Sequence, residues 1–95
     1  MSAPVNKNVT STQSEIVASN TSRTKLTIQN NSGANVFLGE NNTVTTSNGY
    51  RLDNGTEKIW ERTKENDEFF YTGALHAIAA SGTNAIIVWE ELKGR

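Results

Sequence analysis

The apolar residues of this 95-residue chain fall in short runs, and none is as long as a helix requires. Ile16-Val17-Ala18, Val36-Phe37-Leu38, Leu75-His76-Ala77-Ile78-Ala79-Ala80 and Ala85-Ile86-Ile87-Val88-Trp89 are bounded by Asn, Ser, Gly or charged residues. Runs of this length suit strands. Seven or eight of them at roughly 8- to 12-residue spacing predict an all-β fold, an antiparallel β-sandwich or jelly-roll-like barrel. The residues between the runs agree: 12 Asn, 12 Thr and 8 Ser make up a third of the chain. Asn and Ser divert backbone hydrogen bonds into turns, and β-branched Thr favours strands.

The domain organisation reads as a polar, flexible N-terminal arm over residues 1–14 and a single β-sandwich domain over residues 15–95. Val5 and Val9 are isolated in the arm, so it has no apolar period with which to fold alone. Ile16-Val17-Ala18 is the first expected strand. In Arg23 to Asn30 the residues alternate, with Thr24, Leu26 and Ile28 on one face and Arg23, Lys25, Thr27 and Gln29 on the other. The Asn31-Ser32-Gly33 turn then returns the chain through Val36 to Gly39, which predicts a hairpin over residues 23–39. Glu40 to Asn48 is polar apart from Val44 and reads as a long loop or weak edge strand. Asn48-Gly49 and Asn54-Gly55 bracket Tyr50-Arg51-Leu52 as turn signals of a meander. Glu57 to Arg62 is expected as a strand, a short helix over 57–66 being the minor alternative. Thr63 to Asp67 reads as a charged loop, and Glu68-Phe69-Phe70-Tyr71 as a further strand. The two last apolar runs form the expected central hairpin, with Ile87 placed in the core.

Composition narrows the function classes. Leu, Ile, Val and Phe number 20, so the private core of a chain this small is thin and oligomerisation would supplement it. Nine basic against ten acidic residues leave a net charge of −1, without the basic surface of a nucleic-acid binder. No apolar run is long enough for a membrane-spanning helix, and Met1 to Lys7 lacks a secretory pattern. Without cysteine there are no disulfides, thiolate metal sites or cysteine nucleophiles.

Motifs for catalysis are sparse. His76, the sole histidine, sits inside an alternating strand and reads as structural. The acids cluster at Glu57/Glu61, Glu65/Asp67/Glu68 and Glu90/Glu91, away from any His, so no metal or cofactor is expected. Nothing singles out a carboxylate pair for sugar hydrolysis, and no phosphate loop is present. Five Asn-x-Ser/Thr sites, at Asn8, Asn20, Asn30, Asn41 and Asn54, are mostly what this composition produces by chance. Tyr50, Trp60, Phe69, Phe70, Tyr71 and Trp89 suit core or interface packing, with a sugar-stacking platform as the functional alternative.

The alternating strand Arg23 to Ser32, the strand closing on Leu38-Gly39, the Gly49-Tyr50-Arg51-Leu52 segment and the late Leu75 to Glu90 stretch around Ala-Ile-Ala-Ala-Ser-Gly-Thr together resemble small β-rich virion proteins of tailed bacteriophages, of the capsid decoration or cement type. The likeness covers roughly residues 22–91 and departs at the charged Lys58 to Glu68 stretch. It implies a non-enzymatic virion structural protein bound to the capsid or tail, often as a symmetric trimer; the leading expectation is a decoration protein made in the host bacterial cytoplasm and bound to the major capsid protein on the outside of the shell as a symmetric oligomer, a homotrimer. No catalytic residue carries over, and neither nucleic acid nor membrane is an expected partner.

Such a role would use the arm, Pro4, Val5, Asn6, Lys7 and Val9, as a capsid contact that orders on binding. Deleting residues 2–14 is then expected to leave a folded domain that no longer attaches. Ala77 and Ala79 would allow close approach of a neighbouring subunit, and Trp60 would pack at the same interface. The alternative is a receptor- or glycan-binding module of a tail fibre or spike, using Tyr50 or Trp60. A chain with its own Met1 favours the decoration reading.

Overall fold

The structure is a computed structural model that describes residues 4–63 and 70–92. Eight strands make up the fold: β1 (Val5–Val9), β2 (Ser14–Val17), β3 (Arg23–Asn30), β4 (Val36–Gly39), β5 (Tyr50–Leu52), β6 (Thr56–Glu61), β7 (Leu75–Ala79) and β8 (Asn84–Leu92). No helix occurs among the described residues. The expected loop over 63–67 and the start of the Glu68 to Tyr71 run lie mostly outside the described residues.

Two antiparallel four-stranded sheets, ordered β1-β8-β3-β6 and β2-β7-β4-β5, pack face to face. The hydrogen-bonded pairs nest about the middle of the chain: β4 with β5, β3 with β6, β2 with β7 and β1 with β8. That nesting is jelly-roll connectivity, in an open sandwich. No closed barrel forms, because the β1/β2 and β5/β6 edges belong to different sheets.

Alternation makes the core. Leu26 and Ile28 of β3, Ile86 and Val88 of β8, Val36 and Leu38 of β4, and Leu75, Ala77 and Ala79 of β7 point between the sheets, joined by Val9, Ile16, Val17 and Leu52. Ile87 faces the other way and is half-buried on the outer surface, one residue out of step with the expected core position. Ala77 and Ala79 are buried in this interior, so their small side chains serve sheet-to-sheet packing and cannot meet a neighbouring subunit.

The expected hairpins are not hairpins. β3 and β4 lie in opposite sheets, as do β7 and β8, and the turns at Gly33 (φ 96°) and Gly82 (φ 74°) cross the sandwich. The meander expected around β5 likewise breaks at Asn54-Gly55, where the chain changes sheet. Strand β6 fills the place of the alternative helix.

The residues expected as a flexible arm also differ. Val5 to Val9 pair in register with Val88 to Asn84, and Val9 is fully buried. The segment has too few apolar residues to fold alone, but β8 offers it a complete backbone ladder.

Arg23 is the main departure from strict alternation. A register shift between Arg23 and Lys25 against β8 turns Arg23 inward, onto the side of Leu26, and leaves it 0 % exposed. Its Nε donates to Glu90 Oε2 at 2.7 Å, and its other nitrogens donate to the Ala18, Gly73 and Tyr71 carbonyls at 2.8, 3.0 and 3.4 Å. One guanidinium thereby ties together four segments at one end of the sandwich. At the opposite end buried Asn30 donates to the Ala34 and Leu52 carbonyls, both at 2.8 Å, and buried Asn84 donates to the Val9 and Ser81 carbonyls.

Candidate functional site

Two surfaces stand out, one on the outer face of the β1-β8-β3-β6 sheet and one at the β5/β6 edge. On the outer face, cross-strand register lines up residues in rows. Trp89, Thr27 and Ile59 form one row across β8, β3 and β6, and Ile87, Gln29 and Glu57 form the next. Glu91, Lys25 and Glu61 form a third, with opposite charges facing across the strands. Ile59 is 44 % and Trp89 38 % exposed. The rows enclose a shallow groove of about 360 Å³. Among the described residues these rows set three carboxylates, Glu57, Glu61 and Glu91, against one ammonium, Lys25, around an apolar centre, and no further described layer covers the face.

At the β5/β6 edge the two sheets part. Lys58 and Trp60 are two residues apart on β6, so both lie on the inward-facing side of an edge strand, opposite Ile28 and Leu26. Trp60 packs on the core and Lys58 reaches outward past it. The Lys58 Nζ lies 5.2 Å from the Tyr50 ring centre and 5.6 Å from that of Trp60, within cation–π range of both. Leu38, Gly39, Glu40 and Leu75 complete a groove of about 210 Å³.

The β4–β5 loop positions two of these residues, and Val44 anchors that loop. A Cβ on Gly39 would lie 2.6 Å from Val44 Cβ, and one on Gly49 would lie 2.9 Å from Val44 Cγ2. Both glycines are therefore required by close approach, and the buried valine between them brings Glu40 and Tyr50 to the groove. Nearby, the Tyr71 hydroxyl donates to the Ala74 carbonyl at 2.5 Å. Burial pushes the Tyr71 phenol up from its ordinary value, the Glu40 carboxylate adds to this, and Arg23 opposes it.

The residues singled out from sequence are scattered. Pro4, Val5, Asn6 and Lys7 are exposed along the β1 edge, whereas Val9 is interior. Val5 and Lys7 border a second inter-sheet groove with Ile16, Val17 and Val88. Trp60 joins the aromatic edge, far in role from the interior alanines with which it was grouped. His76 Nδ1 pairs with Gln13 Oε1 at 2.9 Å. No group of three or more His, Cys, Asp or Glu is placed to hold a metal among the described residues.

Three of the five Asn-x-Ser/Thr sites have a structural cause beyond chance. Asn20, Asn30 and Asn41 each accept the backbone N–H of the Ser or Thr two residues on, the Asx turn that favours this spacing. Lys58 was missed because a lysine on an edge strand reads as a solvated charge. The i, i+2 spacing with Trp60 was the available signal.

Comparison with known family models, curated sequences and solved structures returns no match for this chain.

Proposed function

We propose that the chain is a non-enzymatic bacteriophage virion structural protein, a capsid decoration protein that docks on the major capsid protein outside the shell as a symmetric homotrimer. The observation that carries this reading is the outer face of the β1-β8-β3-β6 sheet, which no described layer covers and where Trp89, Ile59 and Ile87 form an apolar centre within an acidic frame. Contiguous apolar surface on a small domain marks an interaction site, and the acidic frame suits a partner that presents lysine or arginine around an apolar patch. Strand β1 extends the same face with Asn6 and Asn8, beside Ile87 and Ala85. The segment expected as a loose arm thus becomes part of a rigid docking surface. Three such faces on a three-fold site would combine weak contacts at high effective concentration.

The reading is tested by attachment to empty shells. Trp89→Lys and Ile59→Lys should abolish binding while leaving the urea midpoint in place, and light scattering of the free protein should give a mass near three chains. Full attachment by both variants would remove this face from the reading. The second reading, a receptor- or glycan-binding module of a tail fibre or spike, is favoured by Tyr50, 54 % exposed beside Trp60. Copy number separates the two: hundreds per particle for decoration, a few tens at most for a fibre tip.

A further inference from the structure

We propose that the groove at the β5/β6 edge binds a saccharide that carries a carboxylate. The inference rests on the second reading's premise that the aromatic edge faces a ligand, and it holds whether or not the outer sheet face docks on a shell. Three observations point to this ligand class. Tyr50 is 54 % exposed and lines a groove between two sheets, where a flat ring can stack on the apolar C–H face of a sugar. Lys58 holds its ammonium over Tyr50 and Trp60, at 5.2 and 5.6 Å from their centres. Among the described residues no carboxylate forms an ion pair with it.

An ammonium positioned by ring faces, with no carboxylate partner among the described residues, is preorganised for an anion. Its order is already established before ligand arrives, so less is lost on binding. An added cation is the wrong ligand, since the protein's own ammonium already lies over both rings. Glu40 lines the same groove, and a carboxylate is an acceptor for sugar hydroxyls. A ligand with an apolar face, hydroxyls along its edge and one carboxylate matches all of these groups. That combination describes an acidic sugar, of the uronic or sialic type.

The test uses the full chain and isothermal titration with sialyllactose and with trigalacturonate, against lactose as the neutral control and hexaglutamate as an acidic peptide. Both acidic saccharides should bind, with lactose and hexaglutamate at least about tenfold weaker, the loss expected when one charge-assisted hydrogen bond or the stacked ring is missing. Lys58→Met keeps the aliphatic stem on Trp60 and should weaken the acidic saccharides by about tenfold, while Tyr50→Ala should remove binding. Urea midpoints of both variants verify that they are folded, and if Tyr50→Ala fails that control, Lys58→Met alone decides. The proposal is overturned if neither acidic saccharide binds at millimolar concentration, if lactose binds equally, if hexaglutamate binds better, or if folded Lys58→Met binds like the parent. Copy number per particle and shell attachment are read separately, so a failed saccharide site and a failed fibre reading give different results.

Discussion

Replacing Arg23 with alanine should bring this domain close to unfolding. The guanidinium is 0 % exposed and its partner Glu90 is 21 % exposed, with Nε and Oε2 2.7 Å apart. Removing one member of a buried pair leaves the other charge uncompensated, which costs about 3–5 kcal/mol. The Ala18 and Gly73 carbonyls lose their donors as well, and a buried acceptor without a partner costs on the order of 1 kcal/mol or more. The terms share one side chain and do not simply add, so about 4–5 kcal/mol is the working figure. A domain of this size has roughly 5–14 kcal/mol in total. Urea unfolding followed by tryptophan fluorescence measures the loss, and the double variant Arg23→Ala/Glu90→Ala should recover part of it by removing the stranded carboxylate. If Arg23→Ala loses less than about 1 kcal/mol, within the range of an exposed surface pair, then Arg23 is not the tie between the four segments and the inward turn at the β3 register shift is wrong.

Three other outcomes follow from the same packing. Ile86→Asp should abolish folding by placing an unpaired charge in the core, whereas Ile87→Asp, on the outer face, should remain folded with a modest loss; circular dichroism of the pair decides the register of β8. Deleting residues 2–9 should lower the urea midpoint, because burial of Val9 alone contributes about 1.5–3 kcal/mol and the β8 ladder would lose its partner; an unchanged midpoint would restore the arm as a free segment. Gly39→Ala, whose Cβ would meet Val44 at 2.6 Å, should cost about 1–3 kcal/mol through overpacking, and calorimetry should show this loss restored in part by Val44→Ala.

Side-chain alternation was legible where polar and apolar residues alternate along a strand. Leu26 and Ile28 announce an inward side and the Asn and Gly clusters announce where each strand stops, but the unbroken apolar run Ala85 to Trp89 hides its period, and Ile87 was expected in the core where Ile86 and Val88 lie. The aromatic edge was legible only in its parts: Tyr50 and Trp60 drew notice as rings, but their meeting around Lys58 depends on β5 and β6 lying at the same edge of the sandwich in opposite sheets.

A period of two thus determined, from the sequence alone, that this chain is made of short strands with one buried face. Where polar and apolar residues alternate it says which way a residue points, but it says nothing about which strand lies beside it, because hydrogen-bonded pairing is carried by backbone groups that every residue shares. Tertiary structure decided the rest: the turns at Gly33 and Gly82 cross between sheets, β1 joins β8, and a one-residue shift in the ladder carries Arg23 from the polar face to the centre of an ion-paired knot.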